Sequence, residues 1–275
     1  MNATGQLRSH HRDIRVERDG HVVTVTIDRP KSKNACTGGM WVALGASFRE
    51  IGHSGARVAV ITGAGGNFCS GADLGGSNDG GAAKDGGGGS FGSMVDAMRV
   101  LGEVVLAIHD CPIPVVAKVD GLCVGAGLGL ALAADVTWCS EESRFSAIFA
   151  KRGLSLDFGT SWLLRQRIGV HRAKELAFTA RIISGVEAYE MGLVNAAVPA
   201  AELDAATQHI VDTIAGGPPI ALASTKRELD LADGASLAQA LEIEALAQGV
   251  NVQTDDLREA LTAFFERRPP NFTGR

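Results

Sequence analysis

The chain has 275 residues, of which 45% are hydrophobic, and its formal net charge is −5. This length and composition predict a globular protein, either one large α/β domain or a core with an appendage, and exclude a disordered chain. The acidic balance, without a basic run and interleaved aromatics, argues against a nucleic-acid partner. No apolar run reaches the roughly 20 residues that cross a bilayer, so we expect no membrane partner.

The cysteines and histidines predict no metal or disulfide framework. Five cysteines are scattered along the chain without a C-x-x-C pair, and the seven histidines lack metal-ligand spacing. The N-terminus is polar and has no apolar signal core. We therefore expect reduced thiols, a cytoplasmic location and no metal.

The first two-thirds of the chain alternates predicted strands and helices. Residues 22–27 alternate branched side chains and predict a strand, whereas residues 39–52 place apolar side chains on one helical face. Residues 58–62 predict a buried strand, which leads into the glycine turn Asn67–Leu74. The segment 75–93 is glycine-rich and almost without apolar residues, so it predicts either a surface insertion or a lid over a ligand.

A second strand and glycine turn follow. Apolar side chains recur at helical spacing from Met94 to Ile108 and predict a helix that packs on the core. Residues 114–119 then predict a strand that enters the turn Asp120–Leu130. A short helix over 128–134 and a strand over 135–139 complete this part.

Beyond residue 160 the pattern is mostly helical. Ser184 and Glu187 have the spacing of a capping box. Amphipathic helices are predicted at 200–215, 219–232, 236–248 and 255–267. We expect a core of residues 14–200 and a helical region of residues 201–275 that packs on a neighbouring subunit.

The two glycine turns point to chemistry on an acyl group. Each follows a buried strand, and glycine lets the backbone N–H groups of such a turn stay exposed. One N–H from each turn could meet at a single oxygen, which is the arrangement of an oxyanion hole. A dinucleotide site is disfavoured because the sixth position of G-x-G-x-x-G is Phe68 in one turn and Leu130 in the other.

Five motifs in order resemble one family. Phe68-Cys-Ser-Gly-Ala-Asp-Leu74 resembles the F-[SC]-[AS]-G-A-D-[LI] motif of the crotonase, or enoyl-CoA hydratase/isomerase, superfamily. The other similar stretches are 28–35, 121–135, 177–195 and the C-terminal pair of Asp256 with 264–272. The resemblance covers residues 14 to 275.

The resemblance implies an α/β fold made of a spiral of β-β-α units, with a helical C-terminal trimerisation region. It implies trimers, sometimes paired into hexamers, and an acyl-CoA thioester as substrate without a further cofactor. The oxyanion donors would be the N–H groups of Ala72 and Ala126. Asp73, Leu74 and Gly125 flank these donors and are candidate substrate-binding residues. For Asp73 we favour holding the turn, by accepting local N–H groups, over a part in the chemistry.

The catalytic carboxylates are where the chain departs from a hydratase of this family. The two positions that carry glutamates in a hydratase fall on Gly129 and Phe149. Asp157 remains, and a carboxylate at a similar position is catalytic in family members that move double bonds. The apolar neighbours Leu154, Leu156, Phe158 and Trp162 would raise its pKa by desolvation. The alternative is that Asp157 caps the helix that follows it.

Three hypotheses result. The favoured one is an enoyl-CoA double-bond isomerase that uses Asp157 as its single acid/base group. The second is an enoyl-CoA hydratase with rearranged acid/base residues. The third is a non-catalytic acyl-CoA-binding protein that keeps the oxyanion hole without the chemistry.

Overall fold

A computed structural model describes residues 7–75 and 91–275 of the chain. The strands described are β1 (Ile14–Asp19), β2 (Val22–Ile27), β3 (Val58–Gly63), β4 (Val115–Val119), β5 (Leu122–Val124), β6 (Val136–Ser140), β7 (Arg144–Ser146), β8 (Ile183–Ser184) and β9 (Ala196–Val198). The α-helices described are α1 (Gly38–Ile51), α2 (Phe91–His109), α3 (Ala126–Ala133), α4 (Thr160–Thr179), α5 (Gly185–Glu190), α6 (Leu203–Ala215), α7 (Pro219–Ala232), α8 (Leu237–Asn251) and α9 (Asp255–Glu266).

Two sheets form the spiral. The larger sheet has the order β1-β2-β3-β4-β6-β9, in which only the β1–β2 pair is antiparallel. The smaller sheet has the order β5-β7-β8. The chain repeatedly adds a strand to the larger sheet, then a short strand to the smaller one, and then a helix, as in β4-β5-α3. The β-β-α spiral implied by the sequence resemblance is confirmed.

The larger sheet is covered on both faces, which is why β3 and β4 are nearly continuous apolar runs. On one face, Ile61 of β3 and Ala117 of β4 belong to the main core with α1, α2 and α3. On the other face, Val60 of β3 and Val116 of β4 pack with Val211 of α6. The central strands β3 and β4 are therefore packed on both faces.

Some predicted elements differ from the observed ones. Met94 is 54% exposed, so the predicted core-facing stripe of α2 begins only with the half-buried Met98 and becomes fully buried at Ile108. The strands β5 and β7 were not predicted, because three residues are too short to show an alternating pattern. At α5, Ser184 Oγ accepts from the Glu187 N–H at 3.1 Å, while the Glu187 carboxylate pairs with Arg181. The capping box is therefore only half formed.

The C-terminal helices are tied to the core through a buried ion pair. Lys226 of α7 is 9% exposed and donates to the Asp135 carboxylate at 2.8 Å and to the Ile113 carbonyl. The division into 14–200 and 201–275 stays a prediction, and α6 packs directly on the larger sheet. None of the described helices is long and apolar enough to cross a membrane. The lid hypothesis for 75–93 concerns mainly residues 76–90, which lie outside the described residues.

Candidate active site

The two glycine turns lie against each other. The Cys69 N–H donates to the Leu122 carbonyl at 2.8 Å, and the Val124 N–H donates back to the Cys69 carbonyl at 3.1 Å. This bridge joins Cys69, near the start of the first turn, to β5, which lies within the second turn. A Cβ atom placed on Gly71 would lie only 3.5 Å from the Ala126 nitrogen. Gly71 has a φ of 95°, so both its backbone conformation and this close approach require glycine.

Ala72 presents an unused backbone donor. The residues on either side of it bind the 34–36 loop: the Cys36 N–H donates to the Gly71 carbonyl and the Asp73 N–H donates to the Cys36 carbonyl, both at 2.9 Å. Because Gly71 and Asp73 both bond to Cys36, the N–H of Ala72 between them points away from Cys36. The hydrogen bonds of the described residues include no acceptor for it. Ala72 itself is exposed, so its N–H is open to a ligand.

Ala126 presents the second donor. It is the first residue of α3, where no preceding turn of helix can accept its N–H, and no side chain caps this end. No acceptor for this N–H occurs among the hydrogen bonds of the described residues either. The positive end of the helix dipole lies at this N–H and favours negative charge there. Ala126 is buried, with an exposed fraction of 4%, whereas Ala72 is exposed. Two N–H groups on adjoining turns, both without an acceptor among the described residues, suit an oxygen that becomes anionic.

The three candidate substrate-binding residues differ in surroundings. Gly125 is the N-cap of α3 and directly precedes the Ala126 donor. Asp73 is held by the protein, because its carboxylate accepts from Arg29 at 2.8 Å and from the Gly75 N–H at 2.9 Å. Leu74 is 75% exposed. Asp73 therefore fixes the shape of the first turn, while Leu74 and Gly125 border the donors.

Asp157 does not cap α4. The N-cap is Gly159. Phe158 (φ 47°) and Gly159 (φ 70°) both have left-handed backbone conformations and separate Asp157 from the helix. The Asp157 backbone carbonyl accepts from the N–H and hydroxyl of Thr160, at 3.0 and 2.7 Å. The side chain of Asp157 does not bond to the helix N-terminus: its Oδ1 is buried and has no hydrogen-bond partner in the described part of the chain.

Burial raises the pKa of Asp157 to about 6. The causes do not include a charged neighbour, so desolvation of the carboxylate accounts for the shift. The expected apolar surroundings are only partly present, since Leu154 is 56% and Trp162 44% exposed, whereas Phe158 is buried. A carboxyl with a pKa near 6 can both accept and return a proton close to neutral pH.

Gly129 of α3 lies directly against the backbone of Phe158, the residue after Asp157. It lies three residues after Ala126, so it occupies the same face of α3, about 4.5 Å further along the axis. A Cβ atom at position 129 would lie 2.3 Å from the Phe158 carbonyl oxygen. The backbone beside Asp157 thus fills the space where a hydratase of this family would have a glutamate side chain. The second such position, Phe149, is a buried apolar side chain.

Gly129→Ala is expected to destabilise the fold by about 1–3 kcal/mol or more, because the new methyl group meets backbone rather than a movable side chain. Gly249→Ala is the matched control. Gly249 is also a helical glycine, but a Cβ there meets nothing within 4 Å, so the change should stabilise by up to ~1 kcal/mol. Urea unfolding of both variants measures this difference. Equal stability of the two variants would contradict the close approach at Gly129.

Two side chains that shape the site were not predicted from the sequence. A guanidinium nitrogen of Arg29 lies 2.8 Å from the Asp73 carboxylate. Arg29 stands before Pro30 in the 28–35 motif, and this position could have marked it as a residue of the site. Trp41 of α1 lies against Phe158, with ring centroids 4.7 Å apart. No local pattern links these two aromatic residues. The described residues contain no group of three His, Cys, Asp or Glu side chains that could hold a metal ion.

A cavity of about 530 Å³ lies elsewhere in the molecule. Its lining includes Asp135, Lys226 and Arg167, but none of Ala72, Ala126 and Asp157. The half-buried Arg167 of α4 donates to the carbonyls of Leu132 and Ala134 at the end of α3. These charged groups are therefore engaged in holding α3 and α7 together, and the cavity is separate from the open donors.

Comparisons with known proteins identify the family of the chain. The sequence model of the family described as enoyl-CoA hydratase/isomerase matches residues 17–275. A Rhodobacter capsulatus protein named as a probable enoyl-CoA hydratase is 37% identical over 268 residues, which cover 97% of this chain and 100% of that protein. The peroxisomal Delta(3,5)-Delta(2,4)-dienoyl-CoA isomerase of Arabidopsis thaliana is 31% identical over 264 residues, 94% of this chain and 95% of that one.

The crystal structure of an enoyl-CoA hydratase from Bacillus anthracis superposes with a TM-score of 0.87 at 30% identity. The match covers 96% of this chain and 100% of that one. Family profile, relatives and fold thus agree over nearly the whole sequence, and the relatives' names include both hydratases and isomerases. The chain belongs to the enoyl-CoA hydratase/isomerase family and has its crotonase fold.

Proposed function

We propose that this enzyme is an enoyl-CoA double-bond isomerase with Asp157 as its acid/base group. The observation that carries the proposal is the buried Asp157 Oδ1, which has no hydrogen-bond partner among the described residues. A structural aspartate in a protein interior is normally paired, because an unpaired buried carboxylate is costly. A catalytic carboxylate is the exception, since its partner is the proton of the substrate.

The oxyanion hole supplies the other half of the chemistry. Removing a proton next to a thioester carbonyl places negative charge on the carbonyl oxygen. The N–H groups of Ala72 and Ala126 would donate to that oxygen as the charge develops. One such donor typically contributes about 3–4 kcal/mol to lowering the barrier.

The isomerisation needs one carboxylate only. For a 3-enoyl thioester, the Asp157 carboxylate takes a proton from C2, and the electron pair spreads over a dienolate whose charge rests on the thioester oxygen. The resulting carboxylic acid returns the proton to C4, which leaves a conjugated 2-enoyl thioester. No water or cofactor enters, and the enzyme ends in its starting protonation state.

Hydration is the second candidate, because the Rhodobacter capsulatus relative is named as a probable hydratase. Addition of water to a 2-enoyl thioester requires a base for the water and an acid for the α-carbon. Neither Gly129 nor Phe149 can transfer a proton. If the enzyme is a hydratase, another group must therefore serve as the base for the water or as the acid for the α-carbon.

The deciding experiment offers the purified enzyme 2-enoyl-, 3-enoyl- and dienoyl-CoA separately, in water enriched in ¹⁸O. We expect the absorbance of the conjugated thioester to change with 3-enoyl- or dienoyl-CoA, with no ¹⁸O in the product. Rapid conversion of 2-enoyl-CoA to an ¹⁸O-labelled 3-hydroxyacyl-CoA would assign a hydratase instead. If the protein binds CoA thioesters but converts none of them, the result would support the non-catalytic acyl-CoA-binding protein instead.

We also propose that the enzyme is a homotrimer or a dimer of trimers. The C-terminal helices leave large apolar side chains uncovered, which favours a partner subunit over them. Among those on α8 and α9 that are at least half exposed are Leu237, Leu241, Leu246, Val250, Leu261, Phe264 and Phe265. Light scattering coupled to size-exclusion chromatography should give three or six times the chain mass of 28.5 kDa.

A further inference from the structure

The turn that carries Asp157 is strained. Phe158 has a φ of 47°, which a bulky residue adopts rarely and at an energetic cost. Such a conformation persists only where the surrounding structure holds it in place. The next residue, Gly159, is also left-handed, so the chain reverses immediately after Asp157. The direction of the Asp157 side chain therefore depends on whatever holds Phe158.

Three helices besides α4 contact this turn through its backbone and the Phe158 ring. Gly129 of α3 meets the Phe158 backbone, as described above. A Cβ atom on Gly159 would lie 3.0 Å from Val105 Cγ1 of α2, so this side is also closely packed. On the third side, the Phe158 ring lies on Trp41 of α1 with the planes tilted by 53°. Both aromatic side chains are buried, with exposed fractions of 6% and 2%.

The Trp41 contact differs from the other two because it acts on a side chain. Contacts with α2 and α3 limit how closely the backbone can approach. The Trp41 ring packs on the Phe158 ring at 4.7 Å between centroids. We expect a smaller side chain at position 41 to leave room for the Phe158 ring to rotate and for its backbone to relax from the left-handed conformation. Relaxation would swing Asp157 towards the N-terminus of α4, where aspartate is a favoured cap.

We propose that Trp41 is a positioning residue for Asp157: its ring holds Phe158 in the left-handed turn and thereby keeps the carboxylate unpaired and directed away from α4. This inference rests on the proposed function only for its effect on catalysis. The effect on the carboxylate itself follows from the packing, whichever reaction the enzyme performs. Trp41 is on the first helix of the spiral and outside the glycine turns.

The test compares Trp41→Leu and Trp41→Phe with Phe48→Leu. Phe48 is also a fully buried aromatic residue of α1, but it lies about two helical turns from Trp41. The titration of Asp157 is followed by infrared difference spectra between each protein and the same protein carrying Asp157→Asn. The kcat and KM for the isomerisation substrate, and the urea unfolding curve, are measured for each variant.

For Trp41→Leu we expect the Asp157 pKa to fall by about one unit or more towards the ordinary aspartate value, because the carboxylate gains water or backbone N–H partners. We expect kcat to fall about 10- to 100-fold with KM changed less than about threefold. Trp41→Phe should restore most of both properties. Phe48→Leu should lose stability but keep the titration and kcat of the wild type.

Two results would overturn the positioning role. One is an unchanged Asp157 titration in a folded Trp41→Leu protein, which would make Trp41 an ordinary core residue. The other is an equal pKa change in Phe48→Leu, which would show a general loosening of the core. If the titration moves as expected but the substrate panel shows hydration, the proposed isomerase reaction fails and the positioning role stands.

Discussion

Asp157→Asn is expected to lower kcat for double-bond migration about 10²- to 10⁴-fold, the usual contribution of a general acid/base group. The amide has nearly the same shape as the carboxyl group but cannot take the C2 proton. KM should change little, since the oxyanion donors and the rest of the site remain. Stopped-flow or steady-state absorbance of the conjugated thioester measures the effect. Asp110→Asn, at a surface carboxylate that is 67% exposed, is the control and should keep wild-type activity.

The pH profile should identify the same group. Because burial raises the pKa of Asp157 to about 6, kcat/KM for a 3-enoyl thioester should rise as pH increases through about 6 and then level off. The rise follows the ionisation of the base that must accept the proton. A profile that is flat over this range, or wild-type turnover in Asp157→Asn, would remove Asp157 from the mechanism.

Stability should depend on pH in the opposite direction. The pKa of Asp157 is about 6 in the folded protein against 3.8 for an ordinary aspartate, so between these values the folded state binds more protons than the unfolded state. The contribution of this group to the unfolding free energy therefore decreases as pH rises from 3.8 to about 6. Asp157→Asn should be more stable than the wild type at neutral pH, and this advantage should vanish in acid. Urea unfolding at several pH values checks both signs.

Gly71→Ala is expected to lower kcat about 10²- to 10³-fold, as the loss of an oxyanion donor does in other enzymes. The added Cβ would lie 3.0 Å from the Val124 carbonyl and 3.5 Å from the Ala126 nitrogen, on a residue whose φ is 95°. The first turn must move to accommodate it, and the Ala72 N–H moves with it. One methyl group thus alters the distance between the two donors without touching the carboxylate.

Gly55→Ala separates this effect from simple backbone strain. Gly55 has a φ of 73° in the connection between α1 and β3, and a Cβ there meets nothing within 4 Å. Both variants should lose about 1 kcal/mol of stability through the left-handed conformation. Only Gly71→Ala should lose activity. If the two variants retain equal kcat values, the contact between the glycine turns has no part in catalysis.

Local patterns were sufficient for much of the architecture. Alternating β-branched side chains predicted β2, and a run of apolar residues predicted β3. The spacing of Ser184 and Glu187 predicted that Ser184 caps α5, and the structure confirms this cap. The two glycine turns were also recognisable, because each follows a buried strand and continues into a motif. These features depend on neighbours in sequence, which decide backbone hydrogen bonding and the face that is buried.

The tertiary structure decided what surrounds the carboxylate. The residues around Asp157 allowed both a helix cap and a free carboxylate, and the left-handed Phe158 and Gly159 rule out the helix cap. The contacts on this turn come from Trp41 on α1 and Gly129 on α3, which are distant in sequence and carry no shared pattern. The sequence by itself therefore determined the spiral and the family, and it predicted the two backbone donors. The burial and direction of one carboxylate depend on how separate segments pack together, which only the folded chain specifies.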